Sequence, residues 1–123
     1  MKGIGIDVVE IDRLRKIVET WGDRFLEKVF TPGELGYARQ RANPSQHLAG
    51  RFAVKEAVAK AMATGWSGGF RWKDVEVSND AYGKPSVVLS GSVRTMLEGC
   101  RVHITISHAE TVVVAAAVIE EDT

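Results

Sequence analysis

Residues 46–64 constrain this chain more than any other stretch. They are rich in alanine, the strongest helix former, so a helix is predicted across them. They are also apolar nearly all round, the mark of a buried helix rather than a surface one. Four charges interrupt it: Arg51, Lys55, Glu56 and Lys60. With Arg51 as origin on the helical wheel, Lys55, Glu56 and Lys60 lie at about 40°, 140° and 180°. Glu56 therefore sits among Ala49, Phe52, Ala53, Ala59 and Ala63, where an ionised carboxylate needs a partner.

Residues 2–9 alternate as a strand, with Ile4, Ile6 and Val8 on one face and Gly3, Gly5 and Asp7 on the other. The bare glycine face admits either a close-packed neighbouring helix or a ligand, and packing is the reading favoured by the strand itself. A helix is predicted over 11–20, closed by Gly22, and a second from Arg24 to Phe30. Thr31-Pro32-Gly33-Glu34 reads as a capping box that starts a third helix, which fades near Asn43-Pro44. Gly65–Gly69 reads as a flexible loop. Asp74–Ser78 and Ser86–Ser90 read as strands around a turn from Asn79 to Pro85. A short helix over Ser90–Gly99 precedes strands Arg101–Ser107 and Thr111–Ile119. The fold class is α+β: a mostly antiparallel sheet packed on a long central helix, in a single domain spanning 1–123.

Sixteen Lys and Arg balance sixteen Asp and Glu, which argues against a dedicated nucleic-acid binder. The balance hides an asymmetry: residues 1–60 hold 11 basic and 8 acidic side chains, and residues 61–123 hold 5 and 8. An anionic partner is expected to meet the first half. The lone Cys100 leaves no internal disulfide or metal–thiolate framework. No signal-like run or membrane span is evident, so a soluble cytoplasmic protein is expected.

Three cations and one acid on one helix have two explanations. Glu56 and Lys60 form an ordinary i,i+4 pair, or the group serves a phosphorylated ligand with a bound metal. Mg²⁺ is held by one or two carboxylates plus phosphate oxygens and water, and Asp7 is the natural second carboxylate. Ser107 and His108 are neighbours on a strand, so they point to opposite faces and make no nucleophilic dyad. They mark either a hydrogen-bonded strand end or a phosphate contact.

Gly5-Ile6-Asp7-Val8-Val9-Glu10-Ile11, the Arg51-Phe52-x-x-Lys55-Glu56-Ala57-x-x-Lys60-Ala61 helix and Ile106-Ser107-His108-Ala109 resemble, in order and spacing, the three motifs of the holo-acyl-carrier-protein synthases. These are 4′-phosphopantetheinyl transferases. Phe30-Thr31-Pro32-Gly33-Glu34-Leu35 and Gly83-Lys84-Pro85 also match. The resemblance implies transfer of the phosphopantetheine arm of coenzyme A to a serine of apo acyl carrier protein, in support of fatty acid biosynthesis. It implies Mg²⁺ on Asp7 and Glu56, with Lys60 neutralising the pyrophosphate. Arg51, Lys55, Ser107 and His108 would meet coenzyme A phosphates, and Gly83, Lys84 and Pro85 would border the adenine. Glu56, directly or through a metal-bound water, would take the serine proton. Arg13 and Arg24 would receive the acidic carrier protein. Short members of this kind are homotrimers with sites between subunits, so the Gly3/Gly5 face and the apolar helix need not be covered within one protomer. A non-catalytic coenzyme A-binding module and a purely structural oligomer are the competing readings. The first needs no metal, and the second binds no coenzyme A.

Overall fold

A computed structural model describes residues 2–62 and 69–122. Strand β1 (Gly3–Glu10) runs straight into helix α1 (Ile11–Trp21). Gly22, at φ +58°, turns the chain into α2 (Asp23–Val29). Helices α3 (Pro32–Arg39) and α4 (Pro44–Ala61) follow. A 3-10 turn at Trp72–Asp74 leads to β2 (Val75–Asn79) and β3 (Pro85–Leu89). Then come α5 (Gly91–Met96), β4 (Cys100–His108) and β5 (Val112–Glu121).

The architecture is α+β, as expected. One antiparallel sheet has the order β1-β5-β4, and β2 and β3 form a separate antiparallel pair. The predicted boundaries move by a few residues. Helix α3 stops at Arg39 because Asn43 caps α4 instead, accepting from the Gln46 amide at 3.3 Å, with Pro44 in the first turn. The predicted capping box is present: Thr31 Oγ1 accepts from the Glu34 amide, and Glu34 accepts from the Thr31 amide at 3.0 Å. The last two residues of the predicted helix over 46–64 lie outside the described residues, as does all but Gly69 of the predicted loop Gly65–Gly69.

Helix α4 is buried along nearly its whole length, with Ala49, Ala53, Val54, Ala57 and Val58 fully enclosed. It packs on β1 and β5. The inward residues of β5 are Val113, Ala115, Ala117 and Ile119. On β1 the inward residues are Gly3 and Gly5. A Cβ on Gly5 would stand 2.1 Å from the Ala57 carbonyl oxygen, and one on Gly3 would stand 1.9 Å from that of Ala61. The bare face thus accommodates the helix backbone, the packing favoured by the strand pattern, and is covered within the protomer. The uncovered face is the other one: Ile4, Ile6 and Val8 are 63%, 60% and 59% exposed. They pair in register with Val118, Ala116 and Val114 on the same outer face of the sheet.

A second clamp joins α3 and β2 to α4. Lys55 Nζ lies 2.9 Å from Glu34 Oε1, with both side chains fully enclosed. The same ammonium donates to the carbonyls of Trp72, at 2.9 Å, and Val75. The other Glu34 oxygen accepts from the Val77 amide at 2.8 Å. Lone buried charges are expensive, and this pair is tolerable because its donors and acceptors are matched.

Gly5→Ala should destabilise the protein by about 1–3 kcal/mol in chemical denaturation, since the helix must lift off the strand. Gly36→Ala, in a helix position with no neighbour within 4 Å of the added Cβ, should be neutral or stabilising. Equal effects would refute the close-approach explanation.

Candidate active site

The strand–helix contact brings Asp7, Glu56 and Lys60 to one cleft of about 610 Å³, whose wall also includes Arg13, Leu14, Ile17 and Phe52. Lys60 Nζ lies 3.0 Å from Asp7 Oδ1 and donates to the Ile6 carbonyl at 3.1 Å. Lys60 therefore spans to the strand rather than pairing with Glu56 one turn back. Glu56 forms no ion pair among the described residues. Burial and then the Asp7 charge push the Glu56 carboxyl above its usual range, and Lys60 only partly opposes this.

A half-buried carboxylate whose ionisation is opposed by a second carboxylate beside it fits a divalent cation. The described residues contain no cluster of three or more His, Cys, Asp or Glu. A pair of carboxylates suits an ion such as Mg²⁺, which completes its shell with phosphate oxygens and water.

A second cleft, about 200 Å³, lies where α4 meets the β2–β3 turn. Its lining includes Tyr37, His47, Arg51, Asn79, Gly83, Pro85 and His108. Arg51 is only 3% exposed. Its Cζ stands 4.1 Å from the Tyr37 ring centroid, and that of Arg41 stands 3.9 Å away. Arg51 Nη2 donates to Asn79 Oδ1 at 2.7 Å, while its Nε is buried with no hydrogen-bond partner among the described residues. Burial, Arg51, Arg41 and His108 together hold the His47 imidazole below its usual pKa. Burial is the larger cause, and the neighbouring Arg51 and Arg41 add to it, cations of the kind an anion site uses. A further cavity, about 670 Å³, lies elsewhere, against Lys28 and residues 70–74, and gathers no pair of carboxylates among the described residues.

The sequence-predicted residues thus divide. Asp7, Glu56, Lys60 and Arg13 meet in the first cleft; Arg51, His108, Gly83 and Pro85 meet in the second. Lys84 is exposed beside the second without lining it, and Arg24 is exposed on α2. Ser107 is on the outer face of the sheet, paired with Val114, and reaches neither cleft of its own protomer. Lys55 is a correction: all three of its donors are engaged by Glu34, Trp72 and Val75, so it has none for a phosphate. Glu34, Tyr37, His47 and Asn79 were missed. His47 could have been found, since it precedes Arg51 by one helical turn. Glu34 was visible only as a cap, and Asn79 only as the start of a turn.

Residues 3–117 match the family described as the 4′-phosphopantetheinyl transferase superfamily. A holo-[acyl-carrier-protein] synthase of Chlamydia trachomatis is 45% identical over 120 residues, covering 98% of this chain and all of the relative. The crystal structure of the Neisseria meningitidis holo-[acyl-carrier-protein] synthase superimposes with a TM-score of 0.90 at 35% identity, over 98% of this chain and 99% of that one. The Helicobacter pylori synthase in complex with coenzyme A gives 0.84 at 30% identity, over 95% and 99%. The chain belongs to the 4′-phosphopantetheinyl transferase superfamily, and its similarity to the holo-[acyl-carrier-protein] synthases runs over nearly its full length.

Because the folded-state pKa of Glu56 is raised, its ionisation removes stability as pH rises through that range. In metal-free protein, Glu56→Gln should melt above wild type at pH 7. The gap should close near pH 4, where the wild-type carboxyl is protonated. A gap that persists or reverses on acidification would show that the charge is not what strains this site.

Proposed function

We propose that this chain transfers the 4′-phosphopantetheine arm of coenzyme A to a serine of apo acyl carrier protein, releasing adenosine 3′,5′-bisphosphate. The observation that carries the reading is the Asp7–Lys60 contact beside an unpaired, half-buried Glu56 in one cleft. The full-length similarity to holo-[acyl-carrier-protein] synthases supports it.

In this reaction the serine oxygen bonds to the phosphorus of the arm, and the bond from that phosphorus to the bridging pyrophosphate oxygen breaks, that oxygen leaving on adenosine 3′,5′-bisphosphate. The nucleophile belongs to the partner, so the enzyme's work is positioning and charge stabilisation. Asp7 and Glu56 would hold Mg²⁺, which when bound neutralises pyrophosphate charge. Lys60, held at the cleft by Asp7 and the Ile6 carbonyl, presents its ammonium to the same charge. Glu56 would accept the serine proton, directly or through a water. Arg51 and His108 bind the nucleotide end, with the turn at Gly83 and Pro85 as its border. Arg13, in the cleft wall, and Arg24 receive the acidic carrier, while Arg15 is already paired with Asp12. In this role the protein works in the cytoplasm, in fatty acid biosynthesis.

The two clefts share no lining residue, although one coenzyme A must touch both kinds of group. A cyclic homotrimer resolves this by setting the first cleft of one protomer against the second cleft of the next. The exposed Ile4, Ile6 and Val8, beside Val114 and Val118, supply an apolar face for that contact.

Incubation with apo carrier protein, coenzyme A and Mg²⁺ should add the mass of the arm to the carrier by mass spectrometry. Asp7→Asn and Glu56→Gln should each reduce the rate at least about 100-fold with the fold retained; full activity in both would exclude the carboxylate site. Light scattering should give a trimer. Ile6→Lys should give a folded monomer without transfer activity, and a wild-type monomer would contradict the shared site.

A further inference from the structure

Asn79 ends β2 and stands between two parts of the second cleft that are otherwise built independently. Its Oδ1 accepts from Arg51 Nη2 at 2.7 Å, and its Nδ2 donates to the Gly83 carbonyl at 3.0 Å. The turn beyond it is closed locally by Asp80. The Asp80 carboxylate accepts from the amides of Tyr82, at 2.8 Å, and Lys84, at 2.9 Å, and its backbone exchanges bonds with Gly83 and Lys84. Gly83 completes the turn at φ +86°, a conformation side chains resist. These bonds shape the turn, but none sets its distance from α4. Among the described residues, the Asn79 amide is the hydrogen-bonded link between the turn and Arg51.

The chemistry of that link matters. Arg51 is 3% exposed and has a buried Nε with no hydrogen-bond partner among the described residues. Its guanidinium rests on the Tyr37 ring and is held at one end by a neutral amide rather than by a carboxylate. A carboxylate at position 79 would orient the guanidinium equally well but would cancel the charge that an anionic ligand needs. An amide fixes the direction and leaves the charge available. It also has a donor left over, which it uses to hold the turn.

We propose that Asn79 is a positioning residue for the nucleotide end of coenzyme A, holding the Arg51 guanidinium and the Gly83 turn at a fixed separation while leaving the Arg51 charge uncancelled. The proposal rests on the reading of the second cleft given under the proposed function. Asn79 need not touch the ligand; it acts through Arg51 and Gly83.

Calorimetric titration of the full-length protein with coenzyme A, without carrier protein, tests this apart from the transfer reaction. Asn79→Ala should weaken coenzyme A binding about tenfold, the usual effect of losing a hydrogen bond to a charged group. Asn79→Asp keeps the Arg51 bond but adds a negative charge, so it should bind coenzyme A more weakly still. In the transfer assay Asn79→Ala should raise KM for coenzyme A by a similar factor, with kcat and the KM for carrier protein within about twofold. Its melting temperature should stay close to that of wild type. Unchanged coenzyme A affinity in both variants would overturn the proposal. So would Asn79→Asp binding as well as wild type, or a loss in Asn79→Ala shared equally by both substrates. Wild-type protein that binds coenzyme A but transfers nothing would refute the transferase reading, while the affinity series would still decide the role of Asn79.

Discussion

The close approach of α4 to β1 is the contact on which the rest depends. With no side chains at Gly3 and Gly5, the carbonyls of Ala57 and Ala61 occupy the space that two Cβ atoms would fill. A helix this near a strand can bring a carboxylate from each into one cleft, and Asp7 follows Gly5 by two residues on the same face. Lys60 then bridges the two elements through Asp7 and the Ile6 carbonyl. The same geometry turns Ile4, Ile6 and Val8 outward, so the strand that builds the site also presents an exposed apolar surface.

The four charges of α4 serve different ends. Lys55 is walled in with Glu34 and holds α3 and the start of β2 against the helix. Arg51 is equally covered but keeps an unmatched nitrogen beside the second cleft. Glu56 and Lys60 reach the first cleft. Neighbours on the wheel, such as Arg51 and Lys55, thus end in different surroundings, one lining the second cleft and one walled in. What divides them is the partner each finds: a carboxylate with two carbonyls for Lys55, a neutral amide and an aromatic ring for Arg51.

Much of this was legible in the sequence. Alanine content and all-round apolarity announced a buried α4, the capping box at Thr31 was present as read, and two glycines before Asp7 pointed to a close approach. The pairing of Lys55 with Glu34 was not legible, because it joins residues on two different helices through contacts that no local pattern encodes. Alternation tells which residues of β1 share a face, and the missing side chains at Gly3 and Gly5 mark the face that meets the helix. Asn79 was read as a turn residue, since its tie to Arg51 spans 28 positions. Motif resemblance supplied the chemistry; the structure shows which motif residues meet in each cleft.

Under the proposed reading, a divalent cation shared by Asp7 and Glu56 would make this cleft a site of phosphoryl transfer rather than an ordinary ion-paired groove. A crystal structure of the protein with coenzyme A and Mn²⁺, read by anomalous scattering, would locate it directly. The expected result is a cation within bonding distance of both carboxylates and of the coenzyme A pyrophosphate. A cation bound elsewhere, or coenzyme A seated with its pyrophosphate away from Asp7 and Glu56, would contradict the assignment.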